Sequence, residues 1–274
     1  DPQSGIKKRL YEINNLAAKF YSYILTKHKL GKKGLTYLRK TRGLSMDTLL
    51  AFNLGYAPDS WDALYKFLSK RDVSPQEMVT AGVVVKRSGK SGHIDKFRGR
   101  VIFPLTGIGG RVLGFTGRDV VGRDPKYLNS PETPIFHKGH ELYGLYEARQ
   151  ANRNLNRLLL VEGYMDVIIL AQHGITYAVA TLGTAITTNH IQKLFSACPE
   201  IIFCFDGDNA GRTAAWRTLE IILPLLHDNW QAKFIFLPEG EDPDSWVQKI
   251  GKKSFPIHLL LFSLYALSAF GFLH

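Results

Sequence analysis

The chain has 274 residues, 45% of them hydrophobic, and carries 35 Lys or Arg against 24 Asp or Glu, a net charge of +11. The length allows two lobes with cores of their own, and the charge favours a polyanionic partner. Two cysteines, Cys198 and Cys204, lie outside any CxxC pair and exclude a zinc site within this sequence, and the lack of a leading signal peptide fits a reducing cytosol.

In chain order the elements begin with helices. Residues 6–28 repeat apolar side chains at helical spacing (Ile13, Leu16, Ala17, Phe20, Ile24). Short helices are expected over 34–40, 46–52, 61–69 and 75–80, with GYAPD (55–59) as a loop between two of them. From Val83 the pattern shifts to strands and turns: 83–92, then VIFPL (101–105), then RVLGF (111–115), punctuated by glycines. Phe97, Phe103, Phe115 and Tyr127 are expected in the core of this mixed lobe. Charge is segregated: residues 1–155 carry 27 Lys or Arg against 13 Asp or Glu, and the remainder 8 against 11. A basic lobe joined to a mildly acidic one suits a template-gripping surface beside a metal-loaded pocket.

The second half alternates strands and helices. LLLV (158–161) ends in Glu162, and IIFCF (201–205) ends in Asp206, Gly207 and Asp208; both have the length and residue types of buried strands. Helical stretches are expected over 164–173, 187–197 and 210–226, with further strands at 176–180 and 233–237. Four strands alternating with three helices read as a parallel-sheet domain, whose ligand crevice lies outside the carboxyl ends of the strands. An isolated Asp-Gly-Asp also suits a surface turn. Here the turn leads straight into a helix, and EGEDPD (239–244) brings Asp242 and Asp244 towards the same edge. Acids converging from separate strands repel one another unless a cation sits among them, and hard oxygen ligands select Mg²⁺, or Mn²⁺ in its place.

Longer strings carry a resemblance. VEGYMD (161–166), DGDNAG (206–211) and EGEDPD (239–244) resemble the Toprim domain shared by primases, topoisomerases and several nucleases. RGLS (42–45), FRGRVIFP (97–104), GRVLGFTGR (110–118), KYLNSPETPIFHKG (126–139) and LYGLYEAR (142–149) resemble the RNA polymerase core of the bacterial replicative primases, the DnaG type, over roughly residues 7–255. The resemblance implies a mixed α/β (overall α+β) fold: a basic amino-terminal lobe (1–155), a Toprim domain with a mainly parallel four-stranded sheet flanked by helices (156–240), and an acidic loop with the start of a helical subdomain (241–255). It implies a nucleotidyltransferase making short RNA primers on single-stranded DNA from ribonucleoside triphosphates.

The roles that follow are Glu162, Asp206 and Asp208 as catalytic metal ligands, with Asp166, Asp242 and Asp244 as additional ones. Two divalent ions about 3.5–4 Å apart would activate the primer 3′-hydroxyl and neutralise the pyrophosphate leaving group. Lys126 and Lys138 are first choices to face the triphosphate, and Arg118, Arg98, Arg100 and Arg42 to grip template or nucleotide. Arg212, just after the acid turn, would equally suit a structural pairing with Asp208. Expected partners are the single-stranded template, ribonucleoside triphosphates, the nascent RNA primer, single-strand binding protein and, through a carboxyl-terminal domain not visible here, the replicative helicase. Zinc would belong only to a missing amino-terminal domain. The protein is expected in the cytoplasm, at the replication fork.

Two other readings compete: a different Toprim enzyme, either a topoisomerase or a metal nuclease, and a non-enzymatic DNA-binding scaffold. Neither Tyr127 nor Tyr143 stands in a context suited to a topoisomerase nucleophile. One stretch departs from the family: residues 256–274 contain no Asp, Glu, Lys or Arg. A membrane helix is disfavoured there because no basic flank follows, which leaves a frameshift or a truncated gene.

Overall fold

The computed structural model describes residues 2–89, 91–227, 229–251 and 261–264, with Pro2 and 261–264 by backbone alone. The chain divides after His137 into two compact units.

The first unit opens with α1 (Pro2–Lys27), followed by α2 (Lys32–Thr36), which runs directly into a π-helical turn at Tyr37–Thr41. Then come α3 (Met46–Ala51), β1 (Gly55–Ala57), α4 (Ala63–Ser69) and α5 (Pro75–Thr80). Five strands end the unit: β2 (Val84–Lys86), β3 (His93–Asp95), β4 (Arg100–Thr106), β5 (Val112–Asp119) and β6 (Tyr127–Asn129). The main sheet is antiparallel with order β1-β4-β5-β6, and β2 and β3 form a separate hairpin. GYA, expected in a loop, is instead the edge strand β1, paired Gly55↔Ile102 through Ala57↔Arg100. Gly55 is required there, because a Cβ would stand 2.5 Å from Tyr21 of α1.

The apolar stripe of α1 covers this sheet: Ile13, Ala17 and Tyr21 are buried, and Tyr21 meets Phe115 edge-on at 5.5 Å. Buried Asn14 donates to the Leu113 and Val112 carbonyls at 2.9 and 3.4 Å, so a polar bond fixes the helix on β5. Phe97, Phe103 and Phe115 are core residues, as expected; Tyr127 is only partly buried.

The second unit contains α6 (Leu145–Ala151), β7 (Arg157–Val161), α7 (Tyr164–Gln172), β8 (Ala178–Ala180), α8 (Thr188–Ala197), β9 (Glu200–Phe205), α9 (Asn209–Ile222), β10 (Gln231–Phe236), α10 (Pro243–Ile250) and β11 (Leu261–Leu264). The sheet order is β11-β10-β9-β7-β8. Four strands are parallel, as the sequence indicates, and β11 adds an antiparallel edge on β10. Near-continuous burial along β7 and β9 reflects helices on both faces. Pro224 ends α9 early, and the last expected turn becomes a 3₁₀ turn at Leu223–Leu225. Both cysteines are buried. Apart from the four residues of β11, the apolar stretch 256–274 lies outside the described residues. Among the described residues, no helix is long and apolar enough to cross a membrane.

Candidate functional site

From β7 the chain moves to β8 on one side, then crosses to β9 on the other. This reversal opens a crevice beyond the carboxyl ends of β7 and β9, the place where open α/β sheets bind ligands. Glu162 is the first residue after β7 and Asp206 the first after β9. The two strands are direct neighbours, with Leu160 opposite Phe203. Topology therefore delivers two carboxylates to one point, and the Glu162 carboxylate accepts the Asp206 backbone N–H.

Glycines draw the remaining acids in. At Gly207 a Cβ would lie 2.2 Å from the Pro238 carbonyl, so only glycine lets the β9–α9 turn touch the segment after β10. That segment leads to 241–244. At Gly163 a Cβ would lie 2.6 Å from Asp166 Oδ2, and the Asp166 carboxylate accepts the Gly163 N–H from its place in the first turn of α7. Asp208 is the N-cap of α9, its Oδ1 accepting from Gly211 N–H at 2.7 Å. Asp242 is the N-cap of α10, accepting from Ser245 N–H at 2.7 Å, and Asp244 accepts from the Gln248 amide. Arg212 turns to the Gly207 carbonyl at 3.5 Å, with its backbone N–H on the Asp208 carbonyl.

These acids repel one another. Burial, then Glu162, Asp242 and Asp208, push the Asp206 carboxyl up to about 6. Burial, then Asp242, Asp206 and Asp244, raise Asp166 to about 8, and burial followed by Asp208 raises Glu162. The nearby cation Lys249 is bound to Glu241. The donor set therefore suits a hard divalent cation in kind and in charge. Among the described residues, however, no three His, Cys, Asp or Glu side chains are drawn up as one ligand sphere. Glu162 also borders a cavity of ≈ 610 Å³ lined by Thr181, Thr184, Phe205, Arg217 and Ile221.

Lys138 opens the second unit and is partly buried. The other five basic residues expected to bind nucleotide or template belong to the first. Arg118 projects from β5, donates to the Tyr127 hydroxyl at 3.0 Å and lies over the Tyr127 and Tyr37 rings at 5.0 and 5.7 Å. Arg42 donates to the Tyr37 hydroxyl at 3.0 Å and faces the same ring at 5.9 Å. Tyr37, in the π-helical turn, thus holds two guanidinium groups, a role the sequence did not reveal. Arg98 stacks on exposed Trp61 at 4.4 Å and donates to the Asp95 carbonyl. Arg100 is 5% exposed and donates to the Gly117 and Lys126 carbonyls, so it holds the backbone that carries Lys126. Lys126 itself is exposed.

The family described as "DNA primase catalytic core, N-terminal domain" matches residues 20–149, and the one described as "Toprim-like" matches residues 159–247. The chain is 52% identical over 255 residues to a DNA primase of Pseudomonas aeruginosa and 51% identical over 251 residues to one of Escherichia coli K12. These alignments cover 93% and 91% of this chain but only 38% and 42% of those proteins, so the chain spans about two fifths of the curated relatives it matches. Among solved structures it is similar to a DNA primase domain from P. aeruginosa, with 50% identity and a TM-score of 0.83 over 90% of this chain and 76% of that one. It is also similar to the DnaG primase catalytic domain bound to ssDNA, with 47% identity and a TM-score of 0.85 over 92% of this chain and 78% of that one.

Proposed function

Because this chain belongs to the DnaG-type DNA primase catalytic-core family, we propose that it synthesises short RNA primers on single-stranded DNA by nucleotidyl transfer from ribonucleoside triphosphates. The observation that carries the reading is the pair of neighbouring parallel strands delivering Glu162 and Asp206 to the switch point, with Asp208 following at once. A family match over residues 20–149 favours a primase over the other Toprim enzymes and over a scaffold.

Glu162, Asp206 and Asp208 are the residues that would hold Mg²⁺ or Mn²⁺, with Asp166, Asp242 and Asp244 supplying further negative charge. A bound divalent cation would acidify the primer 3′-hydroxyl and neutralise the departing pyrophosphate. The chain's own part is to hold carboxylates where charge must be balanced, and the raised pKa values are the cost of holding them there before charge arrives. The triphosphate also needs cationic partners. Lys126 and Lys138 take that role. Arg118, Arg42 and Arg98, each stacked on an aromatic ring, bind template or nucleotide phosphates, and Arg100 positions Lys126 from beneath. Related structures hold a DnaG catalytic domain with single-stranded DNA and the RNA polymerase domain of Mycobacterium tuberculosis DnaG with double-stranded DNA, which supports a DNA template here. Helicase and single-strand binding protein are the partners of the whole replication protein, acting in the cytoplasm.

The test is incubation with a single-stranded template, four ribonucleotides and Mg²⁺ or Mn²⁺. Short RNA products are expected. Relaxation or cutting of DNA with no RNA made would overturn the reading.

A further inference from the structure

The turn that carries Lys138 is tied to the amino-terminal end of α8 through four consecutive residues. His190 Nε2 donates to the Lys138 carbonyl at 3.0 Å, and the Thr187 hydroxyl donates to the Gly139 carbonyl at 2.6 Å. Asn189 meets the His140 ring nitrogen at 2.8 Å, and Lys193 pairs with Glu141 at 2.6 Å. Thr187 and His190 also cap the helix reciprocally. The Thr187 hydroxyl accepts the His190 N–H at 3.2 Å, and His190 Nδ1 accepts the Thr187 N–H at 3.2 Å.

These bonds fix the state of the imidazole. Nδ1 faces a backbone N–H and must be an unprotonated acceptor; Nε2 faces a carbonyl and must carry the proton. His190 is fully buried. Burial is also the main cause that lowers its affinity for a second proton, outweighing the Lys138 and Glu141 carbonyls, which act the other way. A neutral ring with one possible tautomer is a rigid strut, whereas the usual Glu at this capping position would present only acceptors and would repel the Lys138 carbonyl. The choice of His at the third helical position is thereby explained by what lies on its far side.

We infer that His190 and Thr187 are positioning residues for Lys138: the first turn of α8 sets the backbone from which that ammonium reaches phosphate. The inference rests on the reading of Lys138 as a phosphate-binding side chain, and the test separates the two.

Nucleotide KM and kcat are measured for His190→Leu, His190→Gln, Thr187→Val and Lys138→Ala in the full chain, and for His190→Leu in the Lys138→Ala background. Lys138→Ala is expected to raise the nucleotide KM about tenfold, the loss of one charge-assisted contact. His190→Leu and Thr187→Val should raise KM several-fold with a smaller change in kcat. His190→Gln, whose amide offers both an acceptor for Thr187 N–H and a donor for the Lys138 carbonyl, should restore most of it. In the Lys138→Ala background His190→Leu should raise KM no further, since it acts through the lysine. Thr187→Val keeps the inference testable should His190→Leu fail to fold. A KM rise for His190→Leu that multiplies with that of Lys138→Ala, or none in either positioning variant, overturns the inference. An unchanged KM in Lys138→Ala alone overturns the underlying reading of Lys138 instead.

Discussion

Removing the Asp206 carboxylate should stabilise the metal-free protein. Asp206 is held at about 6 against an ordinary 3.8. About two pKa units at about 1.4 kcal/mol each give ~3 kcal/mol, which solvent screening at this half-buried site reduces to about 1.5 kcal/mol. The sign follows from the direction of the shift. With its folded pKa above its unfolded one, the folded state holds the proton more tightly. The penalty is therefore absent below about pH 4, grows through the window to about pH 6 and is complete above it. Asp206→Asn lacks the penalty at every pH. In a unit of this size about 1.5 kcal/mol corresponds to roughly 5 °C in Tm. Calorimetric melts in EDTA should therefore show Asp206→Asn matching wild type at pH 4 and melting about 5 °C higher at pH 8. The reasoning is refuted if the variant melts lower at pH 8, or if its advantage is the same at both pH values.

Further outcomes follow from the same electrostatics and packing. Mg²⁺ at about ten times its Kd should stabilise wild type by about 1.4 kcal/mol and Asp206→Asn by far less, checked by the same melts with added MgCl₂; equal stabilisation would place the ion elsewhere. Asp208→Ala should abolish primer synthesis and leave single-stranded DNA binding nearly intact, while losing about 1 kcal/mol from the missing α9 cap. Continued synthesis at the wild-type rate would remove Asp208 from the site. Lys126→Ala should lower the slope of log affinity for template or nucleotide against log salt by about one, measured by anisotropy titrations; an unchanged slope would mark a bystander. Gly207→Ala must displace the Pro238 carbonyl and should cost about 1–3 kcal/mol together with primer synthesis.

Apolar runs made the parallel sheet legible, since LLLV and IIFCF are too short for helices and too apolar for a half-exposed strand. Glu162 and Asp206 were legible for the same reason, because each follows directly on such a run. GYA was not: three residues with no alternation form β1 only because β4 supplies the hydrogen bonds and Tyr21 the close packing. The 239–244 segment was expected at the site edge, yet sequence could not show that Gly207 donates to the Glu241 carbonyl at 3.5 Å or that it leaves room for the Pro238 and Leu237 carbonyls. Long-range capping was hidden as well. The Asp95 carboxylate accepts the Leu64 and Tyr65 N–H groups at 2.8 and 2.9 Å, satisfying the start of α4 from thirty residues away. His190 escaped notice because a histidine at the third helical position resembles no common capping signal; its second partner, Lys138, is 52 residues distant.

The central claim is that the carboxylates at the ends of β7 and β9 share divalent cations. Anomalous diffraction from crystals soaked in Mn²⁺ tests it most directly. The account predicts one or two manganese peaks bounded by Glu162, Asp206 and Asp208, lost in an Asp206→Asn crystal. Manganese bound only elsewhere, with those three side chains uncoordinated while the protein remains able to make RNA, would contradict it.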